Sequence, residues 1–179
     1  MQFIVFDLEA TCWQDGVFNN ESEIIEIGAF KLNEYGEILD KFEKFVKPII
    51  HPILSSYCKY LTNIDQVQVN RANTFDIVGE AFKEWIDIDQ PYVLCAWGKF
   101  DANLLRRDCD LHKMEKDWID PYINVKKQYH SIKNKSKTNG LSKTLDLEGF
   151  EFEGTPHRAN VDAYNLAKIF AKHIDAWQY

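Results

Sequence analysis

The sequence predicts an α/β fold: a mixed central sheet of about five strands, the first three antiparallel, flanked by helices. Three observations predict it. Strand-like segments crowd the N-terminal part of the chain, helical spacing alternates with short apolar strands from Leu54 onward, and no repeat, low-complexity tract or linker intervenes. At 179 residues the chain lies within the size of one domain that can bury a sizeable core. A single domain over residues 1–179 is expected.

The first strand is Phe3-Ile4-Val5-Phe6-Asp7-Leu8-Glu9-Ala10-Thr11: apolar residues, two carboxylates one residue apart, a small residue and a hydroxyl. Trp13 to Ser22 is polar, with Gly16 and two asparagines, and reads as a loop. Glu23 to Leu32 is strand-like, Asn33-Glu34-Tyr35-Gly36 has turn chemistry, and Glu37 to Val46 alternates as a return strand that Pro48 and Pro52 end. Three strands in succession would place Asp7 and Glu9 on the first strand, at the edge of a mainly antiparallel sheet.

Helical spacing follows in Leu54 to Leu61 and in Thr74 to Ile86, where Phe75, Val78, Phe82, Trp85 and Ile86 form a core stripe and Thr74 a cap. Tyr92 to Trp97 reads as a buried strand, and Phe100 to Cys109 begins another helix after Gly98 and Lys99. Trp118-Ile119-Asp120 reads as a short strand or bend, with Pro121 suited to the first turn of a following helix. A last helix runs from about Asn160 to Ile174, its apolar stripe being Ala163, Leu166, Ala167, Phe170 and Ile174.

Composition narrows the class. A 45% hydrophobic and 14% aromatic content describes a globular chain rather than a disordered one. A net charge of −7 and a pI near 5.2 disfavour a bulk electrostatic nucleic-acid binder, although acids gathered at a metal site lower the formal count. The cysteines Cys12, Cys58, Cys95 and Cys109 are widely spaced with no CxxC pair, which gives zinc little support. The N-terminus runs straight into a strand without the features of a secretory signal, and no apolar run approaches the length of a bilayer span. No membrane partner is expected, and reduced thiols in a cytoplasm are the simplest fit.

The chemistry lies in five polar residues. On a strand, side chains two apart share a face, so Asp7 and Glu9 project side by side. Two carboxylates so close repel unless a cation sits between them, and oxygen-rich pairs suit Mg²⁺ or Mn²⁺. Asp101 opens the helix after the Tyr92–Trp97 strand, and Asp162 lies in the first turn of the last helix. Each has a bland explanation, since a helix N-terminus favours a carboxylate in any protein. Together they are four acids at element ends, where open α/β sheets build their sites. Converging, they would be destabilising without metal and would match a two-ion site for phosphoryl transfer with it. His157 precedes Asp162 by five residues, about 500° of helix turn, so it belongs to the loop leading into the helix. A free imidazole titrates near pH ~6.5 and is suited to taking a proton near neutrality.

Asp7-x-Glu9, Asp101 and His157-x4-Asp162 resemble the three exonuclease motifs of the DEDDh 3′–5′ exonucleases, of the ribonuclease H-like fold. A finer resemblance is to the branch holding histone-mRNA 3′-end exonucleases, RNAi-regulating exoribonucleases and bacterial sporulation-inhibitor-type proteins. It rests on Phe6-Asp7-Leu8-Glu9-Ala10-Thr11-Cys12, Glu23-Ile24-Ile25-Glu26-Ile27-Gly28, Phe45-Val46-Lys47-Pro48, and Pro52-x-Leu54-Ser55. It continues in Cys58-x2-Leu61-Thr62-x-Ile64, Trp97-Gly98-x2-Asp101 and Phe152-Glu153-Gly154-x2-His157-Arg158-Ala159. Two positions depart from the pattern this resemblance implies: Trp13, where an acid is expected, and Asn63, where a glycine is expected.

The resemblance implies release of nucleoside 5′-monophosphates from nucleic-acid 3′ ends, RNA preferred, with two Mg²⁺ or Mn²⁺ ions in the site. Asp7, Glu9 and Asp162 would hold one ion, Asp7 and Asp101 the other, and His157 would be the general base. Leu8, Ala10 and Thr11 would line the 3′-terminal nucleotide pocket, with Trp97 and Phe100 as stacking partners. Trp97 as plain core is an equal reading. Arg158 would bind a phosphate or pair with a neighbouring acid, and the basic segment Lys126 to Lys143 would track a nucleic-acid backbone or form a solvated face.

Three alternatives stay open: a DNA 3′–5′ exonuclease of the same fold, a phosphomonoesterase with an aspartyl nucleophile at Asp7, and a catalytically weak RNA-binding protein. Glu9, where the phosphomonoesterase would place an Asp, argues against the second.

Overall fold

The computed structural model describes residues 1–16, 18–134 and 137–179. Val17, in the loop after the first strand, and Lys135 and Ser136, in the basic segment, lie outside the described residues. Strands β1 (Gln2–Ala10), β2 (Ile24–Leu32) and β3 (Ile38–Phe45) form an antiparallel meander. Strand β4 (Tyr92–Ala96) joins β1 in parallel and β5 (Tyr122–Asn124) joins β4 in parallel, giving the order β3-β2-β1-β4-β5.

This corrects one expectation. β1 is the central strand rather than an edge, because β4 returns through a long helical crossover and occupies its free side. The apolar run Phe3–Phe6 follows from this, since a strand covered on both faces carries no polar alternation. Ile4, Phe6, Leu8 and Ala10 pack into one core with helices α3 (Phe75–Ile86) and α4 (Phe100–Leu111). Phe3 and Val5 point the other way, into a second core with Leu166, Ala167, Ile169 and Phe170 of helix α7 (Ala159–Lys172). Asp7 and Glu9 continue that second row beyond its apolar end.

Helix α1 (Ser56–Thr62) is capped by Ser55, whose hydroxyl accepts the Cys58 N–H at 2.9 Å. It ends at Asn63, which is left-handed with φ 54°. A glycine takes that conformation freely and asparagine at a modest cost, which explains the substitution. Helix α2 (Gln66–Arg71) has no sequence signal: it is less than two turns long, with Val69 as its buried residue, held by a capping box of Asp65 and Gln68.

Pro121 does not open a helix. It leads into β5, where its missing N–H removes no ladder bond and its carbonyl accepts the Leu94 N–H at 2.7 Å. Residues Asp117–Ile119 form a 3₁₀ turn, and helix α5 (Val125–Ile132) starts after Asn124, which caps the Lys127 N–H at 2.9 Å.

Gly140 precedes helix α6 (Leu141–Glu148). Glu148 ties three helices together: it accepts from Tyr129 at 2.6 Å and pairs with Lys133 at 2.9 Å, Lys172 at 3.0 Å and His173 at 3.1 Å. Burial opposes its ionisation, but these donors hold its carboxyl well below the usual range. Among the described residues no helix is long and apolar enough to cross a membrane, and all four cysteines are free thiols.

Candidate active site

The β1–β4 ladder stops at Val5↔Cys95, while β1 runs on to Ala10 against β2. The two parallel strands therefore part at their carboxyl ends, where ligands bind in open α/β sheets. Asp101, in the first turn of α4, occupies the gap, and its Oδ1 accepts the Leu8 N–H at 3.3 Å.

On the other side of β1 the register pairs Asp7 with Gly28 and Glu9 with Glu26. A Cβ on Gly28 would lie 2.1 Å from the Asn160 nitrogen and 2.2 Å from the Ala159 carbonyl carbon. A glycine is thus what lets the first turn of α7 rest on the sheet, bringing Asp162 to the two β1 carboxylates. Glu26, fully buried, clamps that turn. It receives Arg158 Nε at 3.1 Å, Arg158 Nη2 at 2.6 Å and the Ala159 N–H at 2.9 Å.

His157 precedes this clamp in a left-handed conformation, φ 62°, and its N–H donates to Asp162 Oδ2 at 3.0 Å. The imidazole is exposed. Glu9, His157 and Asp162 each offer a ligand atom within 4.8 Å of the others, and Asp7 and Asp101 line the same cavity of about 280 Å³. The five residues expected from the sequence meet there.

The carboxyl groups repel one another. Burial, then Asp101, Glu9, Asp162 and Glu26, raise Asp7 well above the ordinary carboxylate value. Burial and the charges of Asp162 and Glu26 push Glu9 up to about 8, and burial pushes Asp101 up to about 7, with two backbone N–H groups opposing. Burial also raises Asp162, against the His157 N–H. Such a group of acids holds protons near neutrality and releases them to a cation. All-carboxylate oxygen donors with one imidazole at the rim fit a hard divalent ion such as Mg²⁺ or Mn²⁺.

Leu8, Trp97 and Phe100 line the cavity as expected, with Phe100 59% exposed at its mouth. Trp97 also packs on Tyr129 and His130, so it serves core and cavity at once. Ala10 and Thr11 do not line it. The Thr11 hydroxyl accepts the Glu23 N–H at 2.9 Å and the Thr11 N–H donates to the Glu23 carbonyl at 2.9 Å, which locks the β1–β2 connection instead. Glu23 in turn accepts the N–H groups of Ile49, Ile50 and His51. Of the two readings of Arg158, pairing with a neighbouring acid is the one realised. Glu26 and Lys126 were not singled out as site residues. A lone acid inside the apolar run Ile24–Ile27 was the available signal for Glu26.

The sequence matches the family described as RNase_T, exonuclease, over residues 4–170. ERI1 exoribonuclease 2 of Homo sapiens is 33% identical over 194 residues, covering 96% of this chain and 28% of that protein. The 3′-5′ exonuclease eri1 of Schizosaccharomyces pombe is 33% identical over 199 residues, covering 94% of this chain and 66% of that protein. The chain thus spans about a quarter to two thirds of these relatives' length. Among solved structures, the nuclease domain of 3′hExo, a DEDDh family member bound to rAMP, superposes with TM-score 0.89 at 30% identity, covering 97% of this chain and 92% of that one. Exonuclease I, at 10% identity and TM-score 0.78, shares the fold.

Proposed function

The chain belongs to the exonuclease family, in its DEDDh branch of the histone-mRNA and ERI type, and we propose that it hydrolyses the terminal phosphodiester at 3′ ends, RNA preferred. The convergence of Asp7, Glu9, Asp101, His157 and Asp162 on one cavity, from β1, α4, α7 and the loop before α7, carries this reading. Residues 1–179 act as a single exonuclease domain, and the products are nucleoside 5′-monophosphates.

Asp7, Glu9 and Asp162 are assigned to one divalent ion, and Asp7 with Asp101 to a second. When bound, Mg²⁺ or Mn²⁺ supplies Lewis-acid polarisation of the phosphodiester and neutralises charge developing on it. An imidazole nitrogen of His157 takes the proton of the attacking water, whose oxygen bonds to phosphorus while the 3′-oxygen of the preceding nucleotide leaves. The His157 main chain is held on Asp162, so the base keeps its place relative to the carboxylates. Leu8, Trp97 and Phe100 offer an apolar and aromatic surface for the terminal nucleotide, tolerant of base identity.

A panel of 5′-labelled single-stranded RNA, duplex RNA with a 3′ overhang, dinucleotides and DNA, each with Mg²⁺, Mn²⁺ or EDTA, tests the reading. Metal-dependent shortening of RNA from the 3′ end is expected, with His157→Ala lowering kcat about 10²- to 10⁴-fold. Full activity in Asp7→Asn or His157→Ala would refute the mechanism, and faster cleavage of DNA than RNA would reassign the substrate.

A further inference from the structure

Residues 121–143 contain six lysines and no Asp or Glu, in a chain whose net charge is −7. Lys133 is taken by Glu148. Lys126 and Lys127, on the first turn of α5, and Lys99, at the entrance to α4, instead line one groove of about 500 Å³ with Gly98, Asn124 and His130. None of these three has a carboxylate partner among the described residues. Like charges gathered without a counter-ion repel, which favours an anion between them.

The groove continues the catalytic cavity, since Gly98 and Lys126 line both. Another extension of the cavity, past Gly140, Leu141, Phe152 and Pro156, carries no Lys or Arg. Of these two extensions among the described residues, the one along α5 is the cationic one. That extension is also fixed in place: His130 Nδ1 donates to the Lys126 carbonyl at 2.7 Å, and its Nε2 accepts the Asn139 N–H at 2.9 Å.

We propose that Lys99, Lys126 and Lys127 hold backbone phosphates on the 5′ side of the reacting bond, in the strand whose 3′ end occupies the cavity. The polarity rests on the exonuclease reading above; the phosphate contact does not. Lysine ammonium groups act as point charges, so the groove grips the backbone without reading base or sugar.

The test is the salt dependence of binding of a fluorescent 12-nucleotide RNA, read by anisotropy in Ca²⁺. Lys99→Gln/Lys127→Gln should reduce the slope of log Kd against log salt by about 1.4, two phosphate contacts at about 0.7 each for a single strand. Between 50 and 200 mM salt that is about sevenfold less loss of affinity than in the unsubstituted protein. Lys41→Gln/Lys44→Gln, on β3 at the far edge of the sheet, is the control and should leave the slope unchanged. An unchanged slope in the groove variant, an equal fall in the control, or no binding by the unsubstituted protein would overturn the proposal. Salt-dependent binding lost in the groove variant, by a protein that hydrolyses no RNA, would support the groove and refute the exonuclease reading.

Discussion

Replacing Arg158 by alanine leaves Glu26, with no solvent exposure, holding one N–H where it had the guanidinium as well. Breaking a buried ion pair by removing one partner costs about 3–5 kcal/mol. The Arg158 side chain is 21% exposed, so the low end, about 3 kcal/mol, is expected. The stranded carboxylate also faces Glu9, Asp7 and Asp162 without its counter-charge.

Glu26→Gln should cost less, about 1–2 kcal/mol, because the amide oxygen can still accept the Ala159 N–H and the freed guanidinium can turn to water. In the double variant no charge is stranded. It should lie near 2 kcal/mol rather than the sum of about 4.5, a coupling of about 2.5 kcal/mol in a double-mutant cycle. Urea unfolding followed by tryptophan fluorescence, in EDTA at constant pH, measures all three. A cost for Arg158→Ala below about 1 kcal/mol, or strict additivity, would refute the clamp.

Gly28→Ala drives a methyl group into the backbone of Ala159 and Asn160, so α7 must move away from β1. A displacement near 1 Å is expected to lower kcat about 10²-fold while the far-ultraviolet spectrum stays helical; unchanged kcat would show that the turn does not position Asp162. In metal-free protein the folded state keeps protons on Glu9 up to about 8 and on Asp101 up to about 7, whereas the unfolded chain releases them near pH ~4. Folding therefore takes up protons, and Tm in EDTA should fall as pH rises from about 5 to about 8. Mg²⁺ should restore more stability at pH 8 than at pH 6, and a higher Tm at pH 8 than at pH 6 in EDTA would contradict this. Asn63→Gly removes the left-handed strain at the end of α1 and should raise stability by about 0.5 kcal/mol in the same unfolding assay.

The four candidate acids were legible because each stands where an element's pattern breaks: Asp7 and Glu9 at the end of an apolar run, Asp101 and Asp162 in first turns. Periodicity also marked α3 and α7, whose stripes are long enough to count. It could not place β4 beside β1, because nothing local in Tyr92–Ala96 records which strand it pairs with. That one pairing moved β1 from edge to centre. Helix α2 was hidden for a different reason: one buried side chain has no period. The backbone role of Thr11 was not legible, because a hydroxyl beside two acids looks the same in sequence whether it faces a ligand or the Glu23 backbone. Glu26 was visible as a charge among isoleucines, but its partner lies 132 residues away.

The seating of α7 on β1 also bears on when this chain can act. During synthesis Asp7, Glu9 and Asp101 emerge early, yet the row formed by Phe3 and Val5 stays uncovered until residues near Phe170 are free of the ribosome. Until then Glu9 lacks both Asp162 and His157, and Glu26 lacks Arg158 and the Ala159 N–H. A chain ending before residue 157 therefore holds three of the five candidate site residues and leaves the apolar row of Phe3 and Val5 exposed. The candidate site is completed by the same docking event that completes the core, so a chain without α7 cannot bring the five residues to one cavity.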